Sequence, residues 1–428
     1  MNRLKRELGV VHGSGLLATS LLGTGIFVVP ILAAQAAGEM SLIAWLILIV
    51  LVCPIAWTFA LLGRQYPHAG GAAHIVGKAF GSGWGKLTGF MFLAVLPVGL
   101  PAALMMALGF WHAVFELDVW QGTLIQVLSL LLMLGLGLGG AKLSGNVQVV
   151  IALLIVLMVA SLFIASPSFF RLPEIEFKPV SIGAGTSALG LMFWCFVGIE
   201  AFIHMGEEFK NPRRDFPIAL IIGVTIAGLI YLLCSLAVVN SEVYKNLEFS
   251  STAIPILMGQ LFGPTGAIVA SIVGFLACFA SINIYLQGFS RLLWSLAEEG
   301  QIGARAKSHL GQLNAKKVPA IALIWVTLIC ILSLGLSLLF KLDLDSLIRY
   351  ANGNFIVVYL LCMLAGMKLL KSTGRVWSGI SSLLCLIVLF SLGRDAVYAS
   401  VILLFYGLYR LWKARVLQEI SGTENSVP

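Results

Sequence analysis

Two short segments carry the residues best suited to chemistry. The first is Leu21-Leu22-Gly23-Thr24-Gly25-Ile26-Phe27, with Pro30 a turn later, and the second is Phe193-Trp194-Cys195-Phe196-Val197-Gly198-Ile199-Glu200. Each lies within an apolar run. A glycine inside a helix costs about 1 kcal/mol against alanine, so both are places where a helix can open, with Gly23 and Gly198 at the openings. An opened helix exposes N–H groups at the start of its second half and carbonyls at the end of its first. The N–H end draws anions and the C=O end cations, each by about 0.3–1 kcal/mol, more when partly buried. Two such breaks suit a zwitterion. Its carboxylate meets N–H groups around Thr24, Gly25 and Ile26, and its ammonium meets carbonyls at Leu21, Trp194 and Val197. An amino-acid backbone is the simplest such guest. The competing reading of each break is close packing of small residues against a neighbouring helix.

Glu200 is the acidic residue set deep in an apolar run, where a charge costs about 2.5–3.5 kcal/mol or more. Three roles stay open for it: capping backbone N–H groups freed by the second break, carrying a proton, or stabilising the guest's ammonium. His204, one turn on, reads as a polar interface residue, and a lone Glu/His pair is no metal site. No lysine, arginine or second carboxylate lies at the same depth, so a charged guest side chain lacks a complement. Trp194, Phe27, Met105 and Tyr285 can line an apolar pocket instead. The expected guest is a small neutral L-amino acid with an apolar or thioether side chain. HExxH, GxSxG and GxxxxGK[ST] motifs are absent, so catalytic residues, cofactors and metals are not expected. The seven cysteines show no CxxC spacing and read as small buried hydrophobes.

The elements that position these residues follow from composition. Of 428 residues, 59% are hydrophobic and 11% charged, with mean hydropathy +1.00. Soluble domains average about 45–50% apolar and about 25% charged, so a water-soluble globule and a disordered chain are both excluded. The class is an all-α polytopic membrane protein. Apolar stretches of bilayer-spanning length fall near 13–37, 41–63, 86–111, 120–139, 145–166, 181–206, 217–240, 264–290, 319–340, 346–367, 376–393 and 395–412, here called spans 1 to 12. The first run resembles a signal sequence, with Arg3, Lys5 and Arg6 ahead of it, but Pro30 interrupts it and more spans follow, so it reads as an uncleaved span. With the N-terminus inside, 21 of the 27 lysines and arginines fall on the cytoplasmic side and 5 opposite, which sets both termini in the cytoplasm. The net charge of +8 then reflects topology rather than a nucleic-acid surface.

The glycine-marked breaks fall in spans 1 and 6. Interrupted spans at corresponding positions of two halves point to a transporter site. Two five-span repeats follow, about 13–166 and 181–367, and the odd number inverts the second. Spans 11 and 12, about 376–412, are accessory, and 413–428 is a polar tail.

At these residues the sequence resembles the amino acid–polyamine–organocation superfamily of transporters. Gly23 to Phe27 with Pro30 matches its break in span 1, and Phe196 to Glu200 its break in span 6. Glu208-Phe209-Lys210-Asn211-Pro212-Arg213-Arg214 with Pro217, Tyr66-Pro67-His68-Ala69-Gly70-Gly71 with Phe80-Gly81, and Ser290-Arg291 with Ala297-Glu298-Glu299-Gly300 match its loop and span 8 segments. The run Met192 to Gly198 and the segments Tyr350 to Gly353 and Leu360 to Gly366 further resemble a subgroup of bacterial exporters of L-methionine and branched-chain amino acids. The resemblance implies a LeuT-like inverted five-plus-five fold and outward movement of neutral amino acids (methionine, leucine, isoleucine, valine) across the cell inner membrane. It implies main-chain contacts at Thr24 and Gly25 for the carboxylate and at Leu21, Trp194 and Val197 for the ammonium, with Asn283 and Tyr285 in span 8 as further contacts. The chain departs from some members in having no lysine in span 5, and in carrying Ala73-His74 where aromatic residues are common. The leading reading is secondary active transport by alternating access as proton-coupled antiport. An uptake permease or exchanger of the same fold is the alternative, and a membrane-embedded enzyme a remote one. A monomer or a homodimer fits equally.

Overall fold

In hydrocarbon every backbone N–H and C=O must be paired within its own segment, which leaves long apolar runs little choice but to wind into helices. The computed structural model describes residues 4–174, 194–246 and 253–409, and among these the chain is helical with a single isolated parallel bridge, Leu8 to Phe209. Among the described residues, nine helices are long and apolar enough to cross a membrane. They match spans 2 to 5 and 7 to 11: Met40–Gln65, Ser82–His112, Val119–Leu138, Ala141–Ala165, Pro212–Ser241, Ala253–Glu298, Ala320–Leu339, Ser346–Leu369 and Thr373–Leu392. Span 12 is described as Val397–Tyr409. Positions 181–193 of span 6, including Met192 and Phe193, and the tail 413–428 lie outside the described residues.

Local chemistry sets the ends and bends. Asp118 caps span 4 by accepting from the Gln121 N–H at 2.7 Å, and Gln121 returns a bond to the Asp118 N–H at 3.1 Å. Such a reciprocal box satisfies two of the amides a helix start leaves over. Span 3 kinks between Leu93 and Leu96, where Pro97 supplies no N–H to the preceding turn. Span 8 starts earlier than the sequence suggests. A helical segment begins at Ala253, turns at Gly263 (φ 71°) and resumes at Pro264, the predicted start of the span. A helix the sequence reading did not foresee, Gly71–Phe80, follows span 2.

The first part of span 1 packs against spans 5, 7 and 8. Side chains pin it there. Gln148 of span 5 accepts from the Thr19 hydroxyl and donates to the Ala280 carbonyl at 2.9 Å, and Ser281 donates to the Ser20 carbonyl at 3.0 Å. The bundle's basic end is closed by Arg291, whose guanidinium pairs with both oxygens of Glu208, both residues being buried. Six cysteines are buried as expected, whereas Cys53 is exposed.

Candidate functional site

Span 1 is broken where the glycines stand. Helix Val10–Leu22 ends, residues 23–28 form turns, and helix Val29–Ala37 resumes with Pro30 in its first turn. Proline suits that position because the first helical N–H groups have no intrahelical partner. Span 6 is broken too. A 3₁₀ turn at Trp194–Phe196 leads through Val197 and Gly198 into the α-turn Ile199–Phe202. Gly198 has φ 141°, a left-handed conformation that suits glycine alone, and a Cβ there would press on the Ser20 hydroxyl. The two breaks therefore face each other at Ser20 and Gly198.

The backbone groups of the breaks divide into engaged and free. Ile26 N–H donates to the Leu22 carbonyl at 2.9 Å, and the Gly25 carbonyl accepts from Val28 and Val29. Among the described residues, the N–H groups of Thr24 and Gly25 meet no acceptor, and the Val197 carbonyl meets no donor. The Leu21 carbonyl accepts from the Tyr231 hydroxyl at 2.8 Å, and the Trp194 carbonyl accepts from Val197 N–H at 3.2 Å. Both keep one lone pair. Ile26 N–H is thus spent inside the chain, unlike those of Thr24 and Gly25.

Gly25 is hemmed in. A Cβ there would collide with the Tyr231 hydroxyl and lie 3.2 Å from Cys195 Sγ. Gly23 is similarly tight against Ser281 and the Ala277 carbonyl. Glycine at 25 therefore lets Tyr231 of span 7 reach across to Leu21.

Glu200 sits fully buried behind the second break. One carboxylate oxygen accepts from Gly198 N–H at 2.9 Å and from the Tyr359 hydroxyl at 2.5 Å; the other accepts from the Tyr285 hydroxyl at 2.6 Å. Tyr359 also lies 2.9 Å from the Phe196 carbonyl. The carboxylate thus gathers spans 6, 8 and 10 and holds an amide that the break would otherwise strand. His204 makes no bond to it. Its Nδ1 lies 2.8 Å from the Ala69 carbonyl and its ring stacks on Phe92 at 4.9 Å.

A cavity of about 20 Å³ lies between the breaks, room for about one water. Thr24, Trp194, Val197 and Tyr285 line it, with Val95, Gly99, Leu100 and Ala103 of span 3, Ser281 and Ile282 of span 8, and Phe355 of span 10. Trp194 closes it, its Nε1–H donating to the Thr24 hydroxyl at 2.9 Å. Asn283 points elsewhere, to the Ser144 hydroxyl at 2.8 Å. Phe27 stacks edge-on with Phe110 at 5.6 Å, and neither Phe27 nor Met105 reaches the cavity. The span 3 wall was missed although Val95, Gly99 and Ala103 recur every fourth residue, one helical face.

His68, His74 and Glu299 bring possible ligand atoms within 4.8 Å of one another at the basic end. The His68 Nδ1 accepts from the Gly70 N–H at 3.0 Å, and its Nε2 lies 3.8 Å from Glu299. One His68 nitrogen is therefore already engaged by the backbone, and the other faces a carboxylate.

Known proteins share this architecture. The solved structure of MhsT in complex with L-phenylalanine superposes with a TM-score of 0.65 at 15% identity, covering 92% of this chain and all of that one. The shared fold is LeuT-like. The uncharacterized amino acid permease YecA of Bacillus subtilis (strain 168) is 30% identical over 95% of both chains. The L-methionine/branched-chain amino acid exporter YjeH of Escherichia coli (strain K12) is 45% identical over 98% of this chain and 99% of its own. The family model for amino acid permeases matches residues 8–409. With two broken helices meeting in mid-bundle and likeness running nearly end to end, the chain belongs to the amino acid permease family, and it is a multi-pass membrane transporter of amino acids, not an enzyme.

Proposed function

We propose that this transporter exports small neutral amino acids, L-methionine, leucine, isoleucine and valine, from the cytoplasm across the bacterial inner membrane, by alternating access coupled to inward movement of protons. The observation that carries the reading is that, among the described residues, the N–H groups of Thr24 and its neighbour Gly25 meet no acceptor and the Val197 carbonyl meets no donor, while Thr24 and Val197 both line a cavity whose other walls are mostly apolar. The carboxylate docks on the first and the ammonium on the second, joined there by the spare lone pairs of Leu21 and Trp194. No lysine, arginine or acidic side chain lines the cavity, which favours an uncharged side chain. The similarity to a methionine and branched-chain exporter supports the same substrate class.

The mechanism follows from the closed geometry. A cavity of about 20 Å³ holds no amino acid, so the indole of Trp194 swings off Thr24 as substrate enters. With both termini in the cytoplasm, the buried Arg291–Glu208 pair closes the cytoplasmic side. Glu208 ends the 3₁₀ turn Ile203–Glu208 that follows span 6, and Arg291 stands on the helix Ala253–Glu298 of span 8, so opening inward parts this pair while the site stays near mid-membrane. The repeats 13–166 and 181–367 supply one broken helix each.

Efflux of radiolabelled methionine from loaded vesicles, with and without an imposed pH gradient, tests the proposal. Saturable efflux accelerated by inward-directed protons is expected, with leucine competing and arginine and glutamate not. Arginine or glutamate outcompeting methionine refutes the substrate class, and indifference to the gradient refutes the coupling.

A further inference from the structure

A second cavity lies on the outside of the bundle, well away from the transport site. It has a volume of about 560 Å³ and runs between span 2 and the start of span 11. Its stem is formed by Cys53, Trp57, Leu61 and Trp377, and its mouth by Gln65 and Lys371 with the turn 372–374. Along span 2, Cys53 and Gln65 are twelve residues apart, which is about 18 Å of helix. Half the hydrocarbon core of a bilayer is about 15 Å. The groove is therefore one leaflet deep, from the bundle's basic end to mid-membrane.

Chemistry along the groove changes with depth. Trp57 and Trp377 are 43% and 37% exposed, although they sit on a surface that faces lipid. Trp377, four residues past Thr373 at the mouth, stands where acyl chains meet headgroups, the zone tryptophan favours, and Trp57 lies about two helical turns below the mouth, along the acyl chain. Lys371 is exposed at the mouth, and Arg64 and Arg375, also exposed, adjoin mouth residues in the chain. An apolar slot of leaflet depth with cationic side chains at its opening complements a molecule with an acyl tail and an anionic head. Basic pockets on the cytoplasmic side of spans recognise anionic headgroups in this way. We propose that this groove is a binding site for an anionic phospholipid of the cytoplasmic leaflet, with one acyl chain along Trp57 and Cys53 and the phosphate beside Lys371.

The protein carries its own reporter. Cys53 lines the groove and is exposed, while the other six cysteines are buried. Maleimide labelling of the folded full-length chain in detergent therefore reads groove occupancy. Added phosphatidylglycerol is expected to slow labelling about five-fold more than phosphatidylethanolamine of the same acyl chains, the effect of about one lysine near an anionic surface. Native mass spectrometry is expected to show the same preference in retained lipid. In Lys371→Gln, a surface substitution, both preferences should vanish while the labelling rate without lipid stays at the wild-type value. Equal protection by the two lipids, or a preference surviving Lys371→Gln, overturns the proposal. So does protection by glycerol phosphate alone, which places only a headgroup there.

Discussion

The indole of Trp194 donates to the hydroxyl of Thr24 at 2.9 Å, joining the two broken helices across the cavity between them. The bond belongs to the closed geometry and must part for an amino acid to enter. Thr24→Val removes it while keeping both the side-chain shape and the main-chain N–H. A neutral hydrogen bond is worth about 1 kcal/mol, so the closed state loses about a five-fold advantage. Apparent methionine affinity, followed by tryptophan fluorescence or radioligand binding, should tighten by about that factor. Unchanged affinity shows that the bond persists in the loaded protein.

Gly25 and Tyr231 form a second coupled pair. A Cβ at position 25 meets the Tyr231 hydroxyl first, whereas the ring carbon behind it is 3.3 Å away. Gly25→Ala should therefore abolish binding, because Tyr231 is driven off the Leu21 carbonyl and into the site. Removing the hydroxyl as well should make room. Binding is expected to return in part in Gly25→Ala/Tyr231→Phe, and a double variant as inactive as Gly25→Ala shows that the clash lies elsewhere.

These couplings mark the limit of what the chain reveals by inspection. The breaks were legible because glycines and Pro30 act locally: Gly23, Gly25 and Gly198 weaken the helix within a turn of where it opens. The apolar runs gave the spans for the same reason. Leu21 was expected to offer its carbonyl to the ammonium, and its engagement by Tyr231 could not be read, since the two lie 210 positions apart. Asn283 carried the right chemistry on the right span but turns toward Ser144, because orientation about a helix depends on its neighbours. Phe355 and the face of Val95, Gly99 and Ala103 were hidden by resembling ordinary packing residues.

Glu200 accepts three hydrogen bonds, from Gly198 N–H and two tyrosine hydroxyls. A glutamine offers one carbonyl oxygen and points an NH₂ at a remaining donor. Leaving a buried donor unsatisfied costs about 1–3 kcal/mol. Glu200→Gln should cut methionine transport by about ten-fold or more at every pH, with Tyr285→Phe milder. If transport instead stays intact and only its pH dependence disappears, the carboxylate moves protons rather than securing the break.

His74 sets a pH limit on the helix Gly71–Phe80 after span 2. Burial chiefly, then His68 and Lys78, depresses its pKa from 6.5 to about 4, and its ring stacks on His68 at 3.9 Å. The unfolded chain therefore binds a proton between pH 6.5 and 4 that the folded helix refuses. The stability from this source is complete above 6.5 and is lost as pH falls toward 4. Thermal unfolding should shift down on acidification through this window, and His74→Gln should flatten the shift. An identical pH profile in the variant assigns the effect to another group.

Arg291 and Glu208 are 2% and 4% exposed at their side chains, with a further Arg291 bond to the Gln287 carbonyl at 3.1 Å. The backbone beside Glu208 is tied down as well, its carbonyl accepting from Glu7 and Leu8 at 2.9 and 3.0 Å. Removing one member of such a pair strands a buried charge and costs about 3–5 kcal/mol, whereas replacing both by apolar groups of similar volume is often near neutral. Arg291→Met and Glu208→Leu should each lower the unfolding temperature sharply, and the double variant should recover most of the loss. Transport separates a structural pair from a gate. If opening inward parts the ions, the folded double variant should open to the cytoplasm more readily than wild type, with efflux altered while thermal stability is near normal. A double variant with both stability and efflux at wild-type values removes the pair from the transport cycle.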